Sequence, residues 1–203
     1  MNENLRTFFR TVNTCRQCYG DRCGISVHVP ERIPERVRVI VIGEQPPRPD
    51  GEGANGATEE ADYLRGYLER AGVDADSVLH VTAVLCHPER AAERPGRPSA
   101  TEMRNCSSHL RQLIARADPQ LIVPVGHSGL LALQFAMKEW TELRQFILNY
   151  DVGTVLKGPK CSVYPLYLPS PTTLKARPEE RQVRDWQRIP QLLQGILNPA
   201  RTT

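Results

Sequence analysis

The sequence predicts an α/β fold, a three-layer αβα sandwich around a central, mainly parallel four-stranded sheet. Short β-branched runs alternate along the chain with longer segments of helical periodicity. This alternation is typical of parallel sheets that carry helices on both faces. The 203 residues suffice for one sizeable core, so we predict a single domain, with an N-terminal segment over 1–36 and an α/β core over 37–197.

The first predicted strand is followed directly by the first predicted helix. VRVIVIG (37–43) is a β-branched run that ends in glycine, as is typical of a buried strand. EEADYLRGYLERAG (59–72) places Leu64 and Leu68 on one helical face and offers Gly72 as a C-cap. This pair predicts the first strand–helix unit of the sandwich.

The middle of the chain repeats the pattern. SVLHVTAVLC (77–86) is the second predicted strand. Ser99 and Glu102 have the spacing of a capping box at the start of the next helix. The apolar residues behind this box follow a 3.6-residue period: Met103, Cys106, Leu110, Leu113, Ile114 and Ala117.

The last part of the chain supplies two further strands and two helices. LIVPVG (121–126) and CSVYPLYL (161–168) are the strands, and SGLLALQFAMKEW (128–140) is the helix between them. PEERQVRDWQRIPQLLQGIL (178–197) is the closing helix, which we expect Pro190 to kink or break. Because ligands of such sheets bind beyond the carboxyl ends of the strands, we expect one cleft there.

Composition narrows the class of protein. The net charge of +3 permits nucleic-acid binding without indicating it. No apolar run approaches the roughly 18 residues of a membrane span. The N-terminus, MNENLRTFFRTVN, has no apolar stretch of a secretory signal. We therefore expect a cytoplasmic protein without a membrane partner, in a compartment that disfavours disulfides.

Four cysteines have the spacing of a metal site. CRQC (15–18) is a C-x2-C motif, and nineteen residues separate Cys86 from Cys106. Four thiolates can hold a tetrahedral zinc or an iron–sulfur cluster, and the spacing does not choose between them. Cys86 and Cys106 also fit the role of small apolar core side chains.

The order of the motifs resembles the iron–sulfur branch of the uracil-DNA glycosylase superfamily, over roughly residues 12–195. The matching features are the C-x2-C, a strand ending GEQP, the C-x19-C pair, PVGHSGLLAL and a final P-S pair. The resemblance implies a [4Fe–4S] cluster on Cys15, Cys18, Cys86 and Cys106. Cys23 is an alternative ligand, and Cys161 is expected to be a core thiol. It also implies an enzyme that flips a damaged base from DNA and cleaves its N-glycosidic bond. We expect this enzyme to be monofunctional, because no lysine is evident at the family's catalytic positions.

GEQPPRPDG (43–51) supplies the carboxylates that this reaction needs. Glu44 keeps the family position after the glycine, and Asp50 lies close to the downstream acids of the family motif. Either carboxylate could position water or stabilise the cationic sugar, although Asp50 also fits a turn cap. The resemblance implies that the base is bound near Gly43, Gln45 and Pro46.

Three features of the family pattern are altered. Thr82 stands where the family has an asparagine, Asn55 and Gly56 where it has an aromatic residue, and Leu168 where it has a histidine. The first two changes enlarge the pocket, so we expect a bulky base, such as glucosylated hydroxymethylcytosine of phage DNA, in preference to uracil. The alternatives are ordinary uracil excision by a divergent site and an inactive iron–sulfur module that binds DNA.

Residues around the cleft are candidate contacts to double- or single-stranded DNA. Arginines collect in 87–99 and 174–188, which also fit solvated loops and a solvated helix face. LPSPTT (168–173) resembles the family's DNA-inserting loop, with Leu174 as a wedge. His127 and Ser128 open a helix and fit either a phosphate contact or a helix cap. The candidates are Arg90, Arg94, Arg97, His127, Ser128, Pro169, Ser170, Pro171, Leu174, Lys175 and Arg177, in a protein expected to be a monomer.

Overall fold

The computed structural model describes most of the chain, over residues 3–20, 25–27, 29–30, 32–44, 55–88, 97–168 and 173–197. At 26, 55–62, 88, 196 and 197 it describes the backbone alone. Several residues singled out from the sequence lie outside these ranges: Cys23, Gln45, Pro46, Asp50, Arg90, Arg94, Pro169, Ser170 and Pro171.

Helices and strands alternate along the described chain. In order they are α1 (Glu3–Val12), β1 (Ile25–Val27), β2 (Val39–Gly43), α2 (Asn55–Arg70), β3 (Val78–Thr82), β4 (Cys86–Pro88), α3 (Ala100–Ala117), β5 (Leu121–Pro124), α4 (Gly126–Ala136), α5 (Thr141–Gln145), α6 (Leu148–Asp151), β6 (Leu156–Lys157), β7 (Ser162–Val163), α7 (Glu179–Gln187) and α8 (Ile189–Leu197). Short 3₁₀ turns lie at Ala75–Ser77 and Thr173–Lys175.

The central sheet has the strand order β3-β2-β5-β7-β6. Strands β3, β2, β5 and β7 are parallel, whereas β6 pairs antiparallel with β7. The predicted α/β class is confirmed, and β6 adds a short fifth strand at the edge. Every residue of β2 and β5 is buried, as expected for parallel strands that are covered on both faces.

Helices cover both faces of this sheet. On one face, α1, α3 and α4 pack together around side chains such as Phe9 and Leu110. On the other face, α2, α7 and α8 enclose Tyr67 and Trp186, whose rings lie 6.1 Å apart. Burial of a side chain such as Phe9 stabilises the fold by roughly 3 kcal/mol relative to its exposure.

Helix α1 was absent from the sequence prediction, although its pattern is regular. Leu5, Phe8, Phe9 and Val12 recur at i, i+3, i+4 and i+7, and all four are buried. This stripe packs on α3, so the N-terminal segment contributes to the same core as the sheet. The predicted limits of the segment, 1–36, and of the core, 37–197, stay a prediction.

The second predicted strand was too long. Strand β3 ends at Thr82, and Cys86–Pro88 forms the separate strand β4, which pairs antiparallel with β1. The Thr82 hydroxyl donates to the Val84 carbonyl at 2.7 Å, and this local bond bends the chain away from the sheet. Ala83 to Leu85 are nevertheless buried, so their apolar run looked like continued strand.

The helices agree more closely with the sequence. Ser99 and Glu102 form the predicted capping box of α3. Helix α4 begins at Gly126, two residues earlier than predicted, and the closing helix is broken at Arg188, beside Pro190. Within the described ranges, no helix is both long and apolar enough to cross a bilayer.

Candidate functional site

The carboxyl ends of β2 and β5 meet at the point where the strand order reverses. From β2 the chain continues to β3 on one side, and from β5 it continues to β7 on the other. Such a switch point is where open parallel sheets bind their ligands. Glu44 directly follows β2, and Gly126, His127 and Ser128 directly follow β5, so the structure brings these predicted site residues together.

Glu44 is a buried carboxylate held from two sides. Its Oε1 accepts a hydrogen bond from Ser128 Oγ at 3.1 Å. Its Oε2 lies 3.2 Å from Arg97 Nε. The Glu44 side chain is 11% exposed and that of Arg97 is 69% exposed, so a buried carboxylate pairs with a solvent-facing guanidinium.

Gly126 forms the floor of the cleft beside Glu44. Its φ is +71°, a left-handed conformation that glycine adopts without strain. A Cβ at this position would lie 3.5 Å from Leu168 Cβ and 3.7 Å from Glu44 Oε1. Leu168 and Glu44 therefore flank Gly126, and the floor between them is bare backbone.

Gly129 sets how closely α4 approaches the sheet. A Cβ at this position would lie only 2.3 Å from the carbonyl oxygen of Ile42, which no side chain tolerates. The absence of a side chain lets the first turn of α4 rest on β2. This contact places Ser128 within hydrogen-bonding distance of Glu44.

Thr82 ends β3 beside the cleft. It is buried and lies in register with Gly43 on the neighbouring strand. Its hydroxyl donates to the Val84 carbonyl, so the Thr82 oxygen keeps only acceptor capacity for another group. Asn55 and Gly56 begin α2, where the backbone alone is described, and their predicted role in the pocket is untested.

The four cysteines singled out from the sequence gather in one region beside α3. Burial, and after it the neighbouring thiols, raises the pKa of Cys86 to about 12. Burial is also the main cause that raises the pKa of Cys106 to about 12, with smaller contributions from Cys15 and Cys18. Cys161 is buried in the core, and Asp118 is the charged neighbour that raises its pKa after burial.

Two of these sulfurs already accept hydrogen bonds. The Leu85 backbone N–H donates to Cys106 Sγ at 3.3 Å, and the Asn105 amide donates to Cys18 Sγ at 3.5 Å. Within the described ranges, no three His, Cys, Asp or Glu side chains converge closely enough to hold a single metal ion.

The family comparison covers the α/β core of the chain. The model of the uracil DNA glycosylase superfamily matches residues 30–189, which is most of the chain. The chain belongs to the uracil DNA glycosylase superfamily. A search of curated proteins finds no match.

Members of the uracil DNA glycosylase superfamily are hydrolases that act on DNA, which confirms the predicted activity class and the predicted partner at this level. The match begins after CRQC (15–18) and so includes only the second cysteine pair, Cys86 and Cys106. The iron–sulfur branch accordingly stays a prediction.

A turn beside the glycosylase cleft carries the predicted wedge. Leu174 lies in the 3₁₀ turn Thr173–Lys175, and its side chain is 36% exposed. The Thr173 hydroxyl donates to the Leu168 carbonyl and attaches this turn to the end of the last strand segment. An apolar side chain on such a turn suits insertion between bases.

Arg177 forms an ion pair within the protein. Its Nη2 donates to Asp185 Oδ1 at 2.7 Å, its Nε donates to the other carboxylate oxygen, and the pair is largely buried. The Asp185 carboxylate raises the pKa of Arg177 above its already high value. Gln182 also donates to the Arg177 carbonyl, so Arg177 anchors the base of the Leu174 turn. Its predicted phosphate contact is untested.

Tyr19 is a linking residue that the sequence reasoning missed. Its hydroxyl donates to Glu102 Oε1, and the other Glu102 oxygen accepts from the backbone N–H of Ser99. The segment after CRQC is thereby joined to the first turn of α3, two residues from Arg97. The sequence around Tyr19 does not indicate this role, because its hydrogen-bond partner, Glu102, lies 83 residues away.

Proposed function

We propose that this protein is a monofunctional DNA glycosylase that flips a modified or deaminated pyrimidine out of DNA and hydrolyses its N-glycosidic bond. The observation that carries the proposal is the buried Glu44 carboxylate at the strand-order reversal of a uracil DNA glycosylase superfamily sheet. A base that is to be excised must leave the stack to reach such a cleft.

The chemistry needs charge stabilisation on both sides of the breaking bond. The C1′–N bond breaks with its electron pair on the base, and a water oxygen bonds to C1′ while a carboxylate accepts a water proton. Glu44 lies in the cleft, and Asp50 is the second candidate carboxylate, six residues further along the chain. Each of them fits the role of stabilising the cationic sugar or orienting the water.

A bulky base, such as glucosylated hydroxymethylcytosine of phage DNA, is the proposed substrate class. Two features support it. Leu168 is apolar and lies against the backbone of Gly126, which has no side chain, and position 56 is also a glycine. None of these positions carries an aromatic ring that would limit the volume of the pocket. An anti-phage role follows from this choice of base.

A [4Fe–4S] cluster on Cys15, Cys18, Cys86 and Cys106 is the proposed cofactor. Each iron of such a cluster binds its own thiolate, so the sulfurs surround the cluster rather than converge on one ion. The N–H donors at Cys18 and Cys106 fit thiolates better than apolar core thiols. A reducing cytoplasm suits these ligands, and the cluster would tie the N-terminal segment to α3.

A panel of duplexes tests the proposed reaction. Each duplex contains uracil, hypoxanthine, hydroxymethylcytosine or its glucosylated form, and alkali-labile abasic sites are measured after incubation with the protein. We expect abasic sites with the glucosylated base, and no strand cleavage before alkali, since a monofunctional enzyme leaves the backbone intact. Excision of uracil alone would favour the ordinary glycosylase.

A matched variant and a binding assay distinguish the remaining alternative. Asp50→Asn should lose excision and keep DNA affinity, because a carboxylate that acts on transition-state charge contributes little to ground-state binding. DNA binding without abasic sites in any duplex would instead identify an inactive DNA-binding module.

A further inference from the structure

Arg97 and Glu44 form an ion pair whose two members differ in burial, and this difference indicates a different role for each. Glu44 is buried, follows a central strand and accepts from Ser128, so its position is fixed by the fold. Arg97 reaches it through Nε from a largely exposed position. Within the described ranges no partner is found for the two Nη groups of Arg97, which leaves four N–H donors for a ligand.

We propose that Arg97 is a catalytic residue of the glycosylase reaction, which donates hydrogen bonds to a carbonyl oxygen of the flipped base and stabilises the charge on that base as it departs. Glu44 is then a positioning residue that holds the guanidinium in place. The inference rests on the proposed function and changes which residue performs which step of it. Asp50 becomes the carboxylate that serves the sugar and the water.

The place of the pair favours a base over a phosphate as the ligand. Glu44 holds Arg97 at the carboxyl end of β2, where open parallel sheets bind their ligands, and Glu44 Oε1 lies 3.7 Å from a Cβ placed on Gly126. A flipped base enters such a cleft, whereas the phosphates stay on the duplex backbone. The planar fork of the guanidinium suits two N–H bonds to a base carbonyl at that place.

The same bonds become stronger as the reaction proceeds. When the C1′–N bond breaks, its electron pair passes to the base, and negative charge accumulates on the carbonyl oxygen that Arg97 contacts. The attraction between the positive guanidinium and this oxygen grows with that charge. Water supplies the hydroxyl group at C1′, its proton passes to the carboxylate, and solvent protonates the released base. Arg97 contributes hydrogen bonds and positive charge and transfers no proton. Leu168, on the other side of Gly126, offers no donor for this task.

A double-mutant cycle tests whether Glu44 acts through Arg97. Single-turnover excision is measured on the duplex that the wild-type protein processes, for Arg97→Gln, Glu44→Gln and the double variant. Arg97→Gln should lower the rate on the order of 10²-fold, as loss of one charge-stabilising donor does, with unchanged DNA affinity. The double variant should be no slower than Arg97→Gln. Losses that multiply would overturn the proposal, since Glu44 would then act independently.

The conservative variant separates a catalytic role from a structural one. Arg97→Lys keeps the positive charge and loses the planar fork, so it should recover part of the rate that Arg97→Gln loses. Arg97 is largely exposed, and thermal melting of both variants should match the wild type. Equal rates for Arg97→Lys and Arg97→Gln would contradict charge stabilisation by this side chain.

Binding to undamaged duplex at several salt concentrations tests the phosphate alternative without any excision. Arg97→Gln should leave the slope of log affinity against log salt unchanged. Lys175→Gln, at the exposed end of the Leu174 turn, is the control and should reduce that slope by about 0.9. An equal reduction with Arg97→Gln would identify a phosphate contact and overturn the proposal. If the wild type excises no base, the proposed function and the catalytic role of Arg97 fail together, whereas a changed slope with excision intact refutes the role of Arg97 alone.

Discussion

A methyl group at position 129 should separate α4 from the sheet and thereby disturb the cleft. In Gly129→Ala the new Cβ would meet the Ile42 carbonyl oxygen at 2.3 Å. Carbon–oxygen contacts in proteins are about 3.3 Å or longer, so the helix must withdraw by roughly 1 Å. The Ser128–Glu44 hydrogen bond, 3.1 Å in the wild type, would then exceed the range of a hydrogen bond.

The expected loss of stability follows from two opposing effects. Overpacking of this kind costs up to about 3 kcal/mol. Alanine is better than glycine in a helix by about 1 kcal/mol, which offsets part of that cost. The net loss of about 2 kcal/mol corresponds to a fall in Tm of roughly 4–8 °C for a chain of this length.

Gly66→Ala is the matched control. Gly66 lies in α2, and a Cβ there would have no neighbour within 4 Å. The same substitution should therefore raise Tm by roughly 2–4 °C, since there is no overpacking and alanine has a higher helix propensity than glycine. Thermal melting followed by circular dichroism measures both variants. A Gly129→Ala protein that melts at or above the wild-type temperature would refute the close contact between α4 and β2.

Three further outcomes can be measured. Cys106→Ser should abolish the visible absorbance of an iron–sulfur protein, whereas Cys161→Ser should retain it; equal spectra would remove Cys106 from the ligand set. Asp185→Asn should lower the free energy of unfolding in urea by about 3 kcal/mol, because it leaves the Arg177 guanidinium without its buried partner; a loss near zero would contradict this anchor. Burial lowers the pKa of His109, so the unfolded chain binds the proton more readily and stability should fall as pH drops below about 6.5. His109→Gln should flatten that decline, and an identical pH profile of Tm would show that another group is responsible.

The sequence predicted those features that depend on local pattern. The β-branched runs of β2 and β5, the capping box at Ser99 and the break near Pro190 all rest on neighbouring residues, and the structure contains each of them. The strand–helix alternation then determined the class of fold.

Features that depend on distant pairing were missed. The pairing of β1 with β4 joins two three-residue strands, which are too short for a periodic signal. The Arg97–Glu44 pair joins positions 53 apart in sequence, and the sequence assigned Arg97 to a phosphate because arginines cluster around it. Helix α1 is the exception, since its apolar spacing was visible and was overlooked.

The N-terminal segment contacts the rest of the fold in two places, and this affects the order in which a cofactor site there would form. CRQC (15–18) lies between α1, which packs on α3, and β1, which pairs with β4. Closing the chain between Cys18 and Cys86, about 68 residues apart, costs roughly 4 kcal/mol of conformational entropy. The apolar packing of α1 and the backbone pairing of β1 offset that cost through contacts that do not involve the thiols. A cofactor bound by these thiols would therefore add to contacts that the polypeptide itself supplies, unlike the metal of a zinc finger, which must fold its own site.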